Sequence, residues 1–334
     1  MVTQATRNLT FQDFQNRMDP DGSIADIVEI LQQQNPLLRD AVFKEANGKD
    51  YNQTTIRSSL PEGTWNRYNR RIRPTKSSTS VIIDTVSDLE AYSEINKKLI
   101  DREPDKRIAR YNEDAAFLEG LMQQATRTAL YGNDNTNPDE FLGFMNRFNR
   151  VSSSINSNNV IDAGGTGSDN TSILGVVWDD NVCCMIKSKN EPTDSSGVIQ
   201  MRDLGEDSSE TAEGRVQVYL THFLVNLGLT IKDWRGVFRI ANIDVSALQS
   251  DASSGTNLVN RISSLCSRLN ARFFGKRKAI YMNQTVYDAL LNQRTNFENV
   301  LNMQKDVFGY EVEHARGIPI RVVDQIVDTE ARIT

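Results

Sequence analysis

Residues 51 to 95 constrain what this chain can fold into more than any other stretch. "YNQTTIRSSL" and "STSVIIDTVSDLEAYSEI" are rich in Thr, Ser, Val and Ile, which suit strands, and "LPEG" and "RIRPT" between them supply turn residues. Few large apolar side chains fall between 52 and 80. A two-stranded ribbon without an apolar face is marginal in water, and twelve residues of strand reach roughly 40 Å. The segment therefore predicts a projecting hairpin that leans on a neighbour.

Its turn region, "TWNRYNRRIRPTK", carries Arg67, Arg70, Arg71, Arg73 and Lys76 with no carboxylate, and interleaves Trp65 and Tyr68. Such a run grips nucleic acid or docks on an acidic patch of another protein. The chain as a whole is acidic, with 44 Asp and Glu against 38 Lys and Arg and a net charge of -6. That balance argues against a general nucleic-acid binder, which shows a basic domain, but leaves room for a local basic patch. Far along the chain, "DLGEDSSETAEG" holds Asp203, Glu206, Asp207, Glu210 and Glu213. For both runs a solvated face is the plain alternative.

With 334 residues the chain suffices for one large domain or two ordinary ones. Apolar residues are only 38%, so part of the length is expected outside the core. An N-terminal amphipathic helix is expected at "SIADIVEILQQQN": Ser23 caps it, Asp26 sits near its positive end, and Ile24, Ile27, Val28 and Leu31 form a stripe. Asn35-Pro36 ends it. The clearest element is 104 to 132, where Ile108, Tyr111, Ala115, Leu118, Met122, Ala125 and Ala129 recur every three or four residues. That spacing predicts a helix of about seven turns with this stripe on the core, opened by Pro104 and closed by Gly132.

The second half mixes helices and strands around a sheet. "SILGVVWDD" reads as a strand. Val216, Val218 and Leu220 alternate, as do Leu227, Leu229 and Ile231, and Val237, Phe238, Ile240 and Ile243 continue the strand character. Leu258, Ile262, Leu265, Leu269 and Phe273 share a helix face that Gly275 ends. "KAIYMN", "QTVYDALLNQR" and "GIPIRVVDQI" read as strand, helix and strand, with Pro319 near the start of the last, a place tolerant of an edge.

Catalytic chemistry finds no foothold. His222 lies in an apolar strand and reads as structural; His314 lies in a polar connection, and neither has metal-ligand spacing. "AGGTGSDN" lacks both the Lys-Ser/Thr ending of a P-loop and the GxGxxG register, so it reads as a flexible loop. The two adjacent Asp of "WDDN" point apart on a strand. No catalytic residue, metal ligand or cofactor is expected. Cys183, Cys184 and Cys266 are too few and ill-placed for a disulfide framework. No apolar run suits a membrane span, and the first residues lack the apolar stretch of a signal peptide, so synthesis in a cytoplasm is expected.

An arm, a bare hairpin and opposite charge runs far apart suggest a protein completed by copies of itself. The order of "AYSEINKKLID", "YGNDNTNPDEFLGFMNRF", "NVIDAGGTGSDNTSILGVVW", "THFLVNLGLTIKDWRGVFRIANIDVS" and "AIYMNQTVYDALL…GIPIRVVDQI" resembles the major capsid proteins of tailed double-stranded DNA phages. These have the HK-97 type α+β fold, and the likeness is greatest to a short-tailed-phage subgroup. It implies an N-terminal arm (1–50), an extended loop (51–92), and a peripheral domain (93–165) with its spine helix at 104–131. It further implies a mainly axial domain (166–315) with a polar insert near 187–215, and a returning strand (316–334).

As to partners, the resemblance implies self-assembly into pentamers and hexamers around packaged DNA, a portal at one vertex, and scaffolding or decoration proteins as further candidates. It places assembly in a bacterial host cytoplasm, away from membranes. The five cations of the loop then meet a neighbour's carboxylates, with Trp65 and Tyr68 as apolar anchors and the run from Asp203 to Glu213 as one receiver. A nucleic-acid binder using 67–76, another structural virion component and an unrecognised enzyme are the rivals.

Overall fold

The computed structural model describes residues 35–68, 71–102, 106–152, 155–189, 199–211, 214–250, 255–294, 301–305 and 311–334. The helix expected at 23–35 lies outside them, apart from Asn35. In chain order the strands are β1 (Phe43–Glu45), β2 (Tyr51–Ser59), β3 (Ser78–Asn96), β4 (Val160–Asp162), β5 (Asn170–Trp178), β6 (Cys183–Lys187) and β7 (Ile199–Thr211). They continue with β8 (Gly214–Ile231), β9 (Val237–Asp244), β10 (Arg277–Met282), β11 (Leu301–Lys305), β12 (Glu311–Ala315) and β13 (Ile318–Val322). The helices are α1 (Pro36–Asp40), α2 (Lys97–Ile100), α3 (Lys106–Tyr131), α4 (Phe144–Arg147), α5 (Val245–Ser250), α6 (Leu258–Arg272) and α7 (Gln284–Arg294).

Two sheets form. One runs β1-β6-β8-β3-β2, with β7 added to β8; the other runs β11-β12-β13-β10-β5-β9-β4. In the second, β5, β9, β10 and β13 are strands read from the sequence; β4, β11 and β12 were not, and His314, read as part of a polar connection, lies in β12, where pairing with β11 and β13 makes the strand. β5, an interior strand between β10 and β9, is buried at every position, which explains why "SILGVVW" shows no alternation. α6 lies on this sheet with Leu258, Ile262, Leu265, Cys266 and Leu269 buried. Gly175 of β5 allows the close approach: a Cβ there would fall 2.7 Å from a Leu265 methyl. Pro319 sits second in β13, which is an interior strand; it opposes His314, and the pairing to β10 begins only at Ile320.

α3 spans about 40 Å against the first sheet. Its phase differs from the expected stripe. Ala109, Asp114, Leu121, Ala125, Thr126, Ala129 and Leu130 are buried, whereas Ile108 is 50% and Tyr111 69% exposed. The inward face is set by Phe117, which stacks on Phe223 of β8 at 5.9 Å between ring centroids. Leu118, Met122, Ala125 and Ala129 do meet the core; the first two turns of the expected stripe do not.

Buried polar groups tie the chain ends in. Arg239 donates from Nη2 to Oε2 of Glu330 at 2.7 Å, both about 5% exposed or less. Arg239 also donates to the carbonyls of Met145 and Phe148 and to Ser172 Oγ. Ser172 Oγ and Tyr131 Oη both donate to Glu330. At the other end Asp40, 3% exposed, accepts from Arg277 at 3.1 Å and from Tyr281 Oη at 3.2 Å, and Tyr281 Oη accepts from Trp178 Nε1.

Candidate subunit interface

β2 and β3 pair antiparallel from Tyr51↔Thr85 to Ser59↔Ser78. From Val86 to Asn96, β3 instead lies in the body sheet beside β8. Between Val86 and Thr85, β3 thus passes from the body sheet into the ribbon. Nine residues carry β2 roughly 30 Å.

A buried polar clamp sets the direction in which the ribbon leaves. Asp84 of β3 accepts from Arg147 Nη1 and from Thr230 Oγ1, at 2.7 and 2.6 Å. Asn52 of β2 donates to Thr230 at 3.0 Å. Arg147 spends its remaining donors on the carbonyls of Leu142 and Leu229. Such a charge-assisted, multiply bonded pair fixes geometry as well as contributing energy.

Period-2 alternation gives the ribbon two faces. Ile56 and Ile82 turn inward over a groove of about 440 Å³ that Leu142, Phe148, Ile231 and Trp234 also line. On the outer face Tyr51, Val81 and Ile83 are 43%, 53% and 60% exposed. At the tip Trp65 and Tyr68 are fully exposed, and Leu60 and Ile72 about two-thirds exposed. Arg67, Arg71, Arg73 and Lys76 are exposed, and among the described residues none of them has an acidic partner. Arg70 lies outside the described residues.

The polar insert becomes a second hairpin. β7 pairs with β8 from Ile199↔Val225 to Thr211↔Gly214, with a bulge where Gly205 (φ +78°) faces Leu220. The pattern of Ser and acid gave no strand signal here; pairing with β8 imposes the strand.

Two of its acids hold cations of the same chain. Asp203 accepts from Arg110 of α3 at 2.7 Å, and Glu206 pairs with Lys97 of α2. The Arg110 hydrogen bond holds the Asp203 carboxyl below the usual carboxylate range. Tyr219 Oη bridges Glu206 and Asp101, Lys106 pairs with Asp101, and Arg110 sits 5.1 Å over the Tyr219 ring. Asp207 is exposed, Glu210 pairs in register with Arg215, and Glu213 lies outside the described residues. The structure thus does not bring the acidic run and the basic tip of one chain together. Sequence spacing gave no sign of Asp84, Arg147 or Lys97 as contact residues, because the ion pairs Arg147–Asp84 and Lys97–Glu206 join positions 63 and 109 apart.

The outer face of β3 and β8, opposite α3, shows a further group. Tyr92 stacks on His222 with ring centroids 4.5 Å apart, and His222 Nε2 is 3.4 Å from Glu90. His222, expected to be a satisfied strand residue, is held this way at the surface of the sheet. Among the described residues no three His, Cys, Asp or Glu side chains are placed to hold a metal, and no helix is long and apolar enough to cross a membrane. All three cysteines are free and buried.

No curated protein matches the chain. A chain in the near-atomic structure of bacteriophage Epsilon15 is similar over 100% of both chains, with 31% identity and a TM-score of 0.78. The capsid of a native GTA particle aligns over 66% of this chain and 92% of its own, at 10% identity and TM-score 0.44. The capsid of Myoviridae phage XM1 aligns over 65% and 96%, at 8% and 0.40. The family model for the major capsid protein GP7 matches residues 19–334. With a projecting ribbon, an HK-97-like α+β body and this match over nearly its whole length, the chain belongs to the GP7 family of tailed-phage major capsid proteins.

Proposed function

We propose that this subunit closes its shell through the ribbon: each copy lays its cationic tip on a neighbouring copy, without a covalent bond. The observation that carries this is the tip itself. Trp65 and Tyr68 stand fully in solvent, and Arg67, Arg71, Arg73 and Lys76 have no acidic partner among the described residues. Arg and aromatics are the types that concentrate binding energy at interfaces, and Arg bonds carboxylates through two parallel donors. Single exposed pairs contribute about 0–1 kcal/mol, so the repetition of a shell is what makes them effective.

In this reading 1–50 is an arm, 51–92 the extended loop, 93–165 a peripheral domain and 166–315 an axial domain, with 316–334 returning to the body. Pentamers and hexamers assemble in the host cytoplasm into a shell that encloses packaged double-stranded DNA, with a portal at one vertex and with scaffolding or decoration proteins as helpers. The net charge of -6 suits a container, because an acidic wall releases few counterions to DNA and does not hold it fast.

Arg70→Glu with Arg71→Glu tests the docking. Circular dichroism should be unchanged while negative-stain microscopy shows loss of shells and rings. Normal assembly of this variant refutes the role given to the tip.

A further inference from the structure

We infer that the surface receiving the tip is the solvent face of β3 on a second copy, the stripe Asp88, Glu90, Tyr92 and Glu94; this rests on the docking proposed above. The acids of β7 are poor receivers, since Asp203 and Glu206 already hold Arg110 and Lys97. The stripe is different. Its four residues alternate and so share one face. Among the described residues Asp88 accepts only from the neutral amide of Asn226, and Glu94 only from the Ser209 hydroxyl. Glu90 has the His222 ring at 3.4 Å and is 49% exposed. Among the described residues no Lys or Arg pairs with any of the three.

Spacing and chemistry then match. Alternate residues of a strand stand about 6.8 Å apart. Arg71 and Arg73 are likewise two positions apart, in a segment without helix or turn; drawn out as a strand on the receiver, it presents them at the same interval as two neighbouring carboxylates. Between Glu90 and Glu94 lies Tyr92, 51% exposed and stacked on His222. That flat aromatic platform suits an arginine plane or the exposed Trp65 and Tyr68 rings.

A subunit cannot satisfy its own stripe with its own tip. Ser78, where the ladder ends, is ten positions from Asp88 along a continuous strand, roughly 33 Å. Only another copy brings the two together. The receiver's negative charge also excludes nucleic acid as its occupant.

Charge exchange tests the pairing. The full chain is compared with Arg71→Glu/Arg73→Glu, with Glu90→Lys/Glu94→Lys, and with all four changes together. Sedimentation measures the assembled fraction, and circular dichroism reports folding. Each pair of changes should lower assembly at least tenfold, and the fourfold exchange should restore it to within threefold of the parent. The isosteric Glu90→Gln/Glu94→Gln keeps side-chain shape and should also lower assembly, should the lysine variant not fold.

If both glutamate variants assemble normally while the arginine variant fails, the receiver lies elsewhere: the inference falls and the docking role stands. Failure of the exchange to restore assembly likewise overturns the pairing. Normal assembly of the arginine variant overturns both.

Discussion

Replacing Glu330 with alanine removes the carboxylate that neutralises the buried guanidinium of Arg239. Arg239 is 4% exposed on its side chain and Glu330 5%. After the change, Arg239 keeps its bonds to the Met145 and Phe148 carbonyls but has no counter-charge, and Tyr131 Oη loses its acceptor. Breaking one side of a buried pair costs about 3–5 kcal/mol. Unfolding entropy near 60 °C is about 2.1 cal/mol/K per residue, so 334 residues give about 0.7 kcal/mol/K. The midpoint of the unassembled subunit should therefore fall by about 4–7 °C in scanning calorimetry. Arg239→Met with Glu330→Met leaves no stranded charge and should recover part of that loss, though two carbonyls stay without a donor. A Glu330→Ala midpoint within about 1 °C of the parent would refute the reasoning.

Asp84→Ala strands Arg147 in the same way at the ribbon root; it should cost about 3 kcal/mol or more in urea unfolding and raise hydrogen exchange in β2. Folding lowers the Asp203 carboxyl pKa, so its contribution is present above about pH 4 and fades as pH falls through the lower folded value. The β7–β8 hairpin should then loosen from α3 only in acid, with exchange protection unchanged from pH 7 to 5; loss of protection already at pH 6 contradicts this. Burial raises the thiols of Cys184 to about 11 and Cys266 to about 12, and pushes Cys183 well above the usual thiol range. Ellman's reagent at pH 8 should therefore label no cysteine of the native subunit, and a fast-reacting thiol counts against the packing.

The body was legible in the sequence where one periodicity had one explanation. The buried run of β5, the alternation in β8 and the single apolar face of α6 each left a clean pattern, and all three elements stand where they were expected. α3 shows where pattern alone stops short. It carries apolar side chains on more than one side, so a repeat of three and four fits two faces. Packing on Phe223 chose the face with Phe117 and Leu121, which left Ile108 and Tyr111 outside. β7 was hidden for the opposite reason: Ser and carboxylates have little strand preference, and only the long neighbour β8 makes them a strand. The ribbon was legible because it lacks what a core needs. The clamp at its root was not, because Asp84, Arg147 and Thr230 meet only through the tertiary fold.

A cryo-EM map of the shell assembled from this chain tests the central claim most directly. Residues 60–77 should lie on a sister subunit, with Trp65 and Tyr68 covered and the tip arginines at carboxylates of that neighbour. A map in which the tip contacts no sister chain, or folds back over its own body, contradicts the account.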